Sequence, residues 1–156
     1  MTVVPECGLC KASPMRIGIM GGTGPAGSGL ALRMSVAGHQ VLIGSRSKER
    51  SEEKVAELIA QWPDHNLKIE TGTNEDAAHC DLIVVATPWD STATIVGEYA
   101  EVLRGKVVVT MANALVKVGK EFQPLVPPRG SIAAHVQAEI PESRVVAAMQ
   151  HLPAKE

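Results

Sequence analysis

Short apolar runs alternate with amphipathic segments along most of the chain. The apolar runs predict strands at Arg16–Met20, Gln40–Gly44, Leu67–Glu70, Leu82–Ala86, Lys106–Thr110 and Arg144–Ala148. Apolar residues with helical spacing predict helices at Ala26–Ala37, Lys48–Gln61, Thr92–Leu103 and Ser131–Ala138, with a short turn at Asn74–Ala78. Strands that alternate with helices build a parallel sheet covered on both faces. The pattern therefore predicts one α/β domain with a doubly wound parallel sheet in the strand order 3-2-1-4-5-6.

Residues 1–14 precede the first predicted strand, and we expect them to form a flexible leader before a domain at residues 15–156. Cys7 and Cys10 in this leader have the spacing of a redox or metal pair. No second Cys or His pair stands at zinc-site spacing, so we expect no metal site. Cys80 is expected to be a small core residue. The long irregular stretch from 115 to 130 is interpreted as a flexible loop over the site.

The composition narrows the class of protein. The chain has 156 residues, of which 45% are hydrophobic and 3% aromatic, so the core should be aliphatic, as in buried parallel strands. The net charge of −2 gives no footprint for nucleic acid, and we expect no such partner. No apolar run approaches the roughly 18 residues of a membrane span, and the first residues lack the apolar core of a secretory signal. We therefore expect a cytoplasmic protein without a membrane contact.

A glycine motif joins the first predicted strand to the first predicted helix. Gly22 allows a tight turn, Gly24 lets a pyrophosphate approach the backbone, and Gly27 lets the helix pack close to the strand. The start of the helix offers unpaired N–H groups and a partial positive charge, and Pro25 has no N–H to waste there. In this strand–loop–helix–strand context the motif predicts a dinucleotide-binding, Rossmann-type domain. The alternative is a structural glycine turn in another α/β domain.

The end of the second predicted strand distinguishes the two nicotinamide cofactors. An NAD site usually carries Asp or Glu there, hydrogen-bonded to the ribose 2′-hydroxyl, whereas this chain has Ser45 and Arg46. The Arg46 guanidinium offers a planar fork of donors to a 2′-phosphate, and Ser45 offers a hydroxyl. We therefore predict NADP rather than NAD. Lys48 and Arg50 either extend this site or belong to the solvated face of the following helix, and for Lys48 we favour the second interpretation.

Five segments occur in one order and cover most of residues 15–154: MRIGIMGGTGPAGSGLALR, GHQVLIGSR, NEDAAHCDLIVVATPW, GKVVV and VVAAMQHLPA. Their order resembles the F-420-dependent NADP oxidoreductases, which use the deazaflavin coenzyme F-420 (F420 for short). The resemblance implies an enzyme that transfers a hydride between NADPH and F420. Because direct transfer between two cofactors needs mainly positioning and exclusion of water, we expect no catalytic side chain and no metal.

The resemblance also implies a set of cofactor-binding residues. The pyrophosphate would be held by the loop residues Gly22, Thr23, Gly24, Pro25, Ala26 and Gly27. The 2′-phosphate would be bound by Ser45, Arg46 and Arg50. The adenosine side would be lined by Thr87 and Pro88, and the nicotinamide side by Ala112 and Asn113. The deazaflavin would lie near an HxxPA-like segment that includes His151, Leu152 and Pro153.

The family continues beyond this segment with a smaller C-terminal domain, whereas the sequence ends at Glu156. We expect that domain to be absent, which would open one wall of the pocket and favour a homo-oligomer. A fragment, a short form that completes its pocket between chains, and a binding module all fit. Two other functions stay open: an NADP-dependent reductase whose acceptor is a flavin or a metal complex, and a nucleotide-binding module without turnover.

Overall fold

Six parallel strands form the main sheet of the computed structural model, which describes residues 14–152. In chain order the strands are β1 (Arg16–Met20), β2 (Gln40–Ser45), β3 (Ile69–Thr73), β4 (Leu82–Val85), β5 (Val107–Thr110), β6 (Leu115–Val118), β7 (Glu121–Pro124) and β8 (Arg144–Ala147). The sheet order is β3-β2-β1-β4-β5-β8, and every neighbouring pair is parallel. Strands β6 and β7 form a separate antiparallel hairpin. The predicted doubly wound fold is confirmed.

Helices cover both faces of the sheet. They are α1 (Pro25–Val36), α2 (Lys48–Gln61), α3 (Asn74–Ala78), α4 (Trp89–Gly97), α5 (Ala100–Leu103) and α6 (Ile132–Glu139). Residues on α1 and α2 share one core with Ile17, Ile19 and Val41, whereas residues on α3, α4 and α6 share another with Met20 and Leu42. Successive strand side chains point to opposite faces, so each central strand contributes to both cores.

Two glycines let α3 lie directly against the backbone of the sheet. A Cβ atom on Gly18 would stand 2.0 Å from the carbonyl oxygen of Ala77, and one on Gly44 would stand 2.8 Å from the Ala77 Cβ. No side chain fits in these gaps, so β1 and β2 each need a glycine where α3 crosses them. This close packing brings the first residue of α3, Asn74, to the carboxyl end of β1.

Three predictions about elements were wrong. The single helix expected at Thr92–Leu103 is two helices, α4 and α5, with a break between Gly97 and Ala100. Strand β3 begins two residues later than predicted and extends to Thr73. The stretch interpreted as a flexible loop contains the β6–β7 hairpin, in which Gly119 has a φ of +63° in the two-residue turn. A glycine that adopts this conformation lets so short a turn reverse the chain.

The burial of Cys80, which is 1% exposed, confirms its predicted place in the core. Cys7 and Cys10 and nearly all of the predicted leader lie outside the described residues. Between residues 14 and 152, no helix combines the length and the apolar character needed to cross a membrane. In the same range, no three His, Cys, Asp or Glu side chains are grouped so that they could hold a metal ion.

Candidate functional site

The loop between β1 and α1 is fixed by hydrogen bonds from its own backbone. Gly21 has a φ of +69°, and its N–H donates to Asn74 Oδ1 at 3.0 Å. The N–H of Gly22 donates to the carbonyl oxygen of Gly44, at the end of β2, at 2.9 Å. A Cβ on Gly21 would stand 2.6 Å from Thr87 Cγ2, so the loop also packs tightly against the end of β4. The loop therefore lies at the carboxyl edge where β1, β2 and β4 meet.

Helix α1 begins without a side-chain cap. Gly24 is the N-cap residue in an extended conformation, Pro25 is the first helical residue, and no acidic residue lies in the first turn. The first N–H groups of a helix have no intrahelical acceptor, and together with the helix dipole they favour an anion. The start of α1 thus presents N–H donors and a partial positive charge, and no carboxylate in its first turn competes with a bound anion.

The three glycines of the motif have different roles. A Cβ on Gly27 would stand 2.7 Å from Gly22 Cα, and one on Gly22 would stand 2.9 Å from the Ile19 carbonyl oxygen. The fold itself therefore requires these two glycines. At Gly24 the nearest atom to such a Cβ is 3.9 Å away, and the φ of −73° suits any residue. The space in front of Gly24 is open, as a bound pyrophosphate requires.

At the end of β2, Ser45 is buried while Arg46 and Arg50 are exposed. Neither arginine side chain has a hydrogen bond or an ion pair with another residue of the range 14–152. Lys48, by contrast, lies 4.0 Å from the Glu52 carboxylate on the same helix. The position of Lys48 agrees with its interpretation as part of a solvated face. The guanidinium groups of Arg46 and Arg50 are available to a ligand.

Thr87 and Pro88 lie between the end of β4 and the start of α4. The hydroxyl oxygen of the fully buried Thr92 lies 2.9 Å from Thr87 Oγ1 and 2.8 Å from the Pro88 carbonyl oxygen. Trp89, the first residue of α4, donates its indole N–H to the carbonyl oxygen of Leu115 at 3.1 Å. These bonds connect the end of β4 to the helix that follows and to the β6–β7 hairpin.

A cavity of about 480 Å³ lies beyond the end of β5, between the hairpin, α6 and β8. Asn113 donates from Nδ2 to the carbonyl oxygen of Gln150 at 2.9 Å, and Gln150 donates from Nε2 to the carbonyl oxygen of Thr110 at 3.2 Å. Both residues line the cavity, together with Ala112. The two predicted nicotinamide-side residues thus share one cavity with Gln150.

Gln150 was missed by sequence reasoning, and His151 was chosen in its place. His151 and Leu152 are exposed and do not line the cavity, and Pro153 lies outside the described residues. The sequence did contain a signal for Gln150. In an HxxPA segment the first position lies three residues before the proline, and three residues before Pro153 is position 150, where this chain has Gln.

The residue before Gln150 has an unusual backbone conformation. Met149 has a φ of +68°, which costs a non-glycine residue about 1–3 kcal/mol.

A second and larger cavity, of about 610 Å³, lies between α1 and α2. Of the predicted site residues it touches Thr23 and Pro25, while Arg33, Leu58 and Trp62 form part of its remaining walls. Its walls are therefore formed mostly by the two helices rather than by the ends of the strands. Because ligands of open α/β sheets bind outside the carboxyl ends of the strands, the smaller cavity is the better candidate for the nicotinamide end.

The start of α3 carries a reciprocal cap. Thr73 Oγ1 accepts from the Asp76 N–H at 3.2 Å, while the Asp76 carboxylate accepts from the Thr73 N–H at 2.8 Å and from its hydroxyl at 2.9 Å. These hydrogen bonds hold the pKa of Asp76 below its usual value. The cap defines where α3 begins and so where Asn74 stands.

Comparison with known proteins places these features in a family. Residues 16–114 match the sequence model of the family described as NADP oxidoreductase, coenzyme F420-dependent. An F420-dependent NADP reductase of Methanocaldococcus jannaschii is 38% identical over 143 residues, which are 88% of this chain and 64% of that protein. The protein of the same name from Methanothermobacter thermautotrophicus is 33% identical over 102 residues, which are 65% of this chain and 44% of that protein.

A solved structure agrees with these matches. A candidate F420-dependent NADP reductase from Arthrobacter sp. FB24 superposes with a TM-score of 0.71 at 29% identity, over 90% of this chain and 64% of that one. The chain thus spans 64% or less of the length of these relatives. The match of the family model, with the glycine loop, the end of β2 and the end of β4 inside it, shows that the chain belongs to the coenzyme F420-dependent NADP oxidoreductase family.

Proposed function

We propose that this chain binds NADP(H) across the carboxyl edge of the sheet and supports hydride transfer between the nicotinamide and the deazaflavin F420. The observation that carries the proposal is the pairing of two open positions. Gly24 leaves space in front of the uncapped start of α1, and Arg46, at the tip of the adjacent strand, has no partner in the described part of the chain. A pyrophosphate and a 2′-phosphate match these two positions chemically.

The proposed roles follow from where each residue lies. The backbone from Gly22 to Gly27, with Thr23 and Ala26, holds the pyrophosphate. Arg46 and Arg50 bind the 2′-phosphate next to Ser45, and Thr87 and Pro88 support the adenosine side. Ala112 and Asn113 line the cavity that receives the nicotinamide, whereas the exposure of His151 and Leu152 leaves their place near the deazaflavin as a prediction.

The two cofactors supply the reacting carbons, so the chain's own residues have to orient them and exclude water. The bonds from Asn113 to the Gln150 carbonyl oxygen and from Gln150 to the Thr110 carbonyl oxygen hold this side of the cavity in one shape. A wall held in this way would help to orient the nicotinamide ring when it is bound. Net reduction of F420 by NADPH takes up one proton besides the hydride, and solvent at the edge of the site would supply it, so the proposal needs no proton-donating side chain among the described residues near this cavity.

The test combines binding with turnover. The purified chain is mixed with NADPH or NADH, and loss or gain of the deazaflavin absorbance of F420 is followed. Reaction with NADPH but not with NADH supports the proposal. Reaction of NADPH with a flavin or a metal complex but not with F420 would favour the second kind of reductase. Tight NADP binding without turnover of any acceptor would reduce the function of this chain to nucleotide binding.

Oligomeric state and cell compartment are separate parts of the proposal. The relatives' names imply small-molecule cofactors, and we propose that these are the chain's ligands. A homo-oligomer and a cytoplasmic location stay predictions of the sequence. They are tested by sedimentation and by fractionation of the cells that make the protein, independently of the cofactor assay.

A further inference from the structure

A buried amide side chain supports the glycine loop from below. Asn74 is 5% exposed, and its Oδ1 accepts the N–H of Gly21 at 3.0 Å, although the two residues are 53 positions apart in the chain. A buried polar side chain is stable only when its hydrogen bonds are satisfied. This bond links the amino end of α3 to the first residue of the loop that starts the nucleotide site.

The Gly21 N–H takes no part in the hydrogen bonds between the strands of the sheet. On one side, the Ala86 N–H donates to the Met20 carbonyl oxygen, and on the other side the Gly22 N–H donates to the Gly44 carbonyl oxygen. Gly21 lies between these two points, where its φ of +69° turns the backbone away from the strand. Its N–H therefore depends on a side chain for an acceptor, and Asn74 is that side chain.

Asn74 is itself held in place by its surroundings. The Thr73–Asp76 cap defines the start of α3, and Ala77 packs onto the strand backbone at Gly18 and Gly44. A side chain supported in this way has little freedom to follow a shift of the loop. It can therefore impose one conformation on Gly21 before any ligand arrives, and such preorganisation lowers the entropic cost of binding.

We propose that Asn74 is a positioning residue for the pyrophosphate loop: it sets the affinity for the dinucleotide by fixing Gly21, not by contacting the ligand. The proposal rests on the proposed NADP binding and names a residue outside the glycine motif. It implies that the loop donors of Thr23 to Gly27 are aligned only while the Asn74–Gly21 bond is made. The adenosine 2′-phosphate, bound at Arg46 on another strand, should not depend on that bond.

The test uses two ligands and a matched control variant. Asn74→Leu removes the acceptor while keeping the number and branching of the side-chain heavy atoms. Ser35→Ala also removes a buried acceptor from a backbone N–H, that of Lys68 at 2.6 Å, but Ser35 is near the carboxyl end of α1, away from the loop. NADP⁺ and 2′-AMP, which has the 2′-phosphate but no pyrophosphate, are titrated into the full chain and both variants.

We expect Asn74→Leu to weaken NADP⁺ binding by about tenfold, the scale of one hydrogen bond, and to leave the 2′-AMP affinity within about twofold. Ser35→Ala should change neither affinity. NADP⁺ binding as tight as in the wild type, or equal weakening of both ligands by Asn74→Leu, would overturn the positioning role. Failure of the wild-type chain to bind NADP⁺ would overturn the proposed function itself, and this assignment with it.

A second measurement does not depend on the stability of the leucine variant. Asn74→Asp keeps an acceptor oxygen at the same place, so the Gly21 amide should exchange with solvent as slowly in this variant as in the wild type. Where Asn74→Leu folds, the Gly21 amide should exchange faster, by about tenfold or more. Fast exchange at Gly21 in the wild type or in Asn74→Asp would contradict the hydrogen bond on which the proposal depends.

Discussion

The choice between NADP and NAD is expected to depend chiefly on the exposed side chain of Arg46. Its guanidinium has no hydrogen-bond or ion-pair partner within residues 14–152, so removing it breaks no such bond of the described fold. We predict that Arg46→Ala weakens NADPH binding by about 1.5 to 3 kcal/mol, the scale of hydrogen bonds to a charged group. NADH binding should change little, because NADH has no 2′-phosphate. Both affinities can be measured by nicotinamide fluorescence.

Lys48→Ala is the matched control for this prediction. It removes a cation two residues from Arg46, but one that already lies near Glu52, so NADPH binding should stay within a few tenths of a kcal/mol. Equal losses of NADPH and NADH in Arg46→Ala, or an equal effect of the two variants on NADPH, would show that Arg46 does not recognise the 2′-phosphate.

Gly24 and Gly27 separate the needs of the ligand from those of the fold. A Cβ on Gly24 has no atom nearer than 3.9 Å, so Gly24→Val should fold with a near-normal melting temperature but lose both NADPH and NADH. A Cβ on Gly27 would stand 2.7 Å from Gly22 Cα, so Gly27→Ala should lower the free energy of unfolding by about 1–3 kcal/mol. Calorimetry and titration distinguish the two. Unchanged cofactor affinity in Gly24→Val would refute the placement of the pyrophosphate.

Local signals explain which site residues the sequence could reveal. Gly22, Gly24 and Gly27 form a motif within six consecutive residues, and Arg46 is the second residue after a predicted strand. The bond between Asn74 and Gly21 joins positions 53 residues apart, and no periodicity or spacing indicates it. Gln150 could have been predicted from the sequence, because it stands at the first position of the HxxPA-like segment when the positions are counted back from Pro153. Sequence reasoning thus singles out candidate residues that carry a local signal, and it gives no access to contacts, such as the one between Asn74 and Gly21, that only packing creates.

At the scale of elements, α3 is a helix of five residues whose start is fixed by a reciprocal cap. The hydrogen bonds of this cap lower the pKa of Asp76. Asp76 therefore contributes to the stability of the fold in its charged form. A group whose pKa is lowered by folding stabilises the native state above its unfolded pKa, and that stabilisation is lost as the pH falls through its native value. Asp76 should therefore stabilise the fold at neutral pH and lose this effect below its reference value of 3.8.

We predict that Asp76→Asn lowers the free energy of unfolding at pH 7 by no more than about 1 kcal/mol, because the carboxylate is exposed to solvent. The difference from the wild type should shrink as the pH is lowered below the reference pKa of 3.8. Denaturant unfolding at several pH values measures it. Glu75→Gln, on the same turn but outside the cap, is the control. A difference that stays constant or grows at acid pH would contradict the cap.

Elements were predictable where their pattern repeats over several residues. The apolar runs of β1, β2 and β4 are buried on both faces, which is why their positions were predicted to within one residue. The β6–β7 hairpin was missed because its strands are four residues each and exposed throughout, so they lack the contrast between buried and exposed faces that marks a strand. No proline lies between α4 and α5, so the break has no strong signal in the sequence.

On the scale of the whole molecule, the hairpin and the segment after it present apolar surface to solvent. Phe122 is 68% exposed and Val126 is 86% exposed, and other exposed valine and leucine side chains lie near them along the chain. Exposed apolar patches of this kind usually mark a contact with another surface. The hairpin also borders the cavity proposed for the nicotinamide, through Leu115 and Pro124. Contact at this place would therefore affect the shape of the site.

We predict that the chain self-associates through this patch, and that Phe122→Ser combined with Val126→Ser shifts the equilibrium towards the monomer. Burying each side chain fully is worth about 1.5–3 kcal/mol, so the dissociation constant should rise at least tenfold. Sedimentation velocity over a dilution series measures it. Val36→Ser on α1, where the side chain is 54% exposed, is the control and should change nothing. A wild-type chain that stays monomeric at high concentration would show that this patch does not contact a second copy.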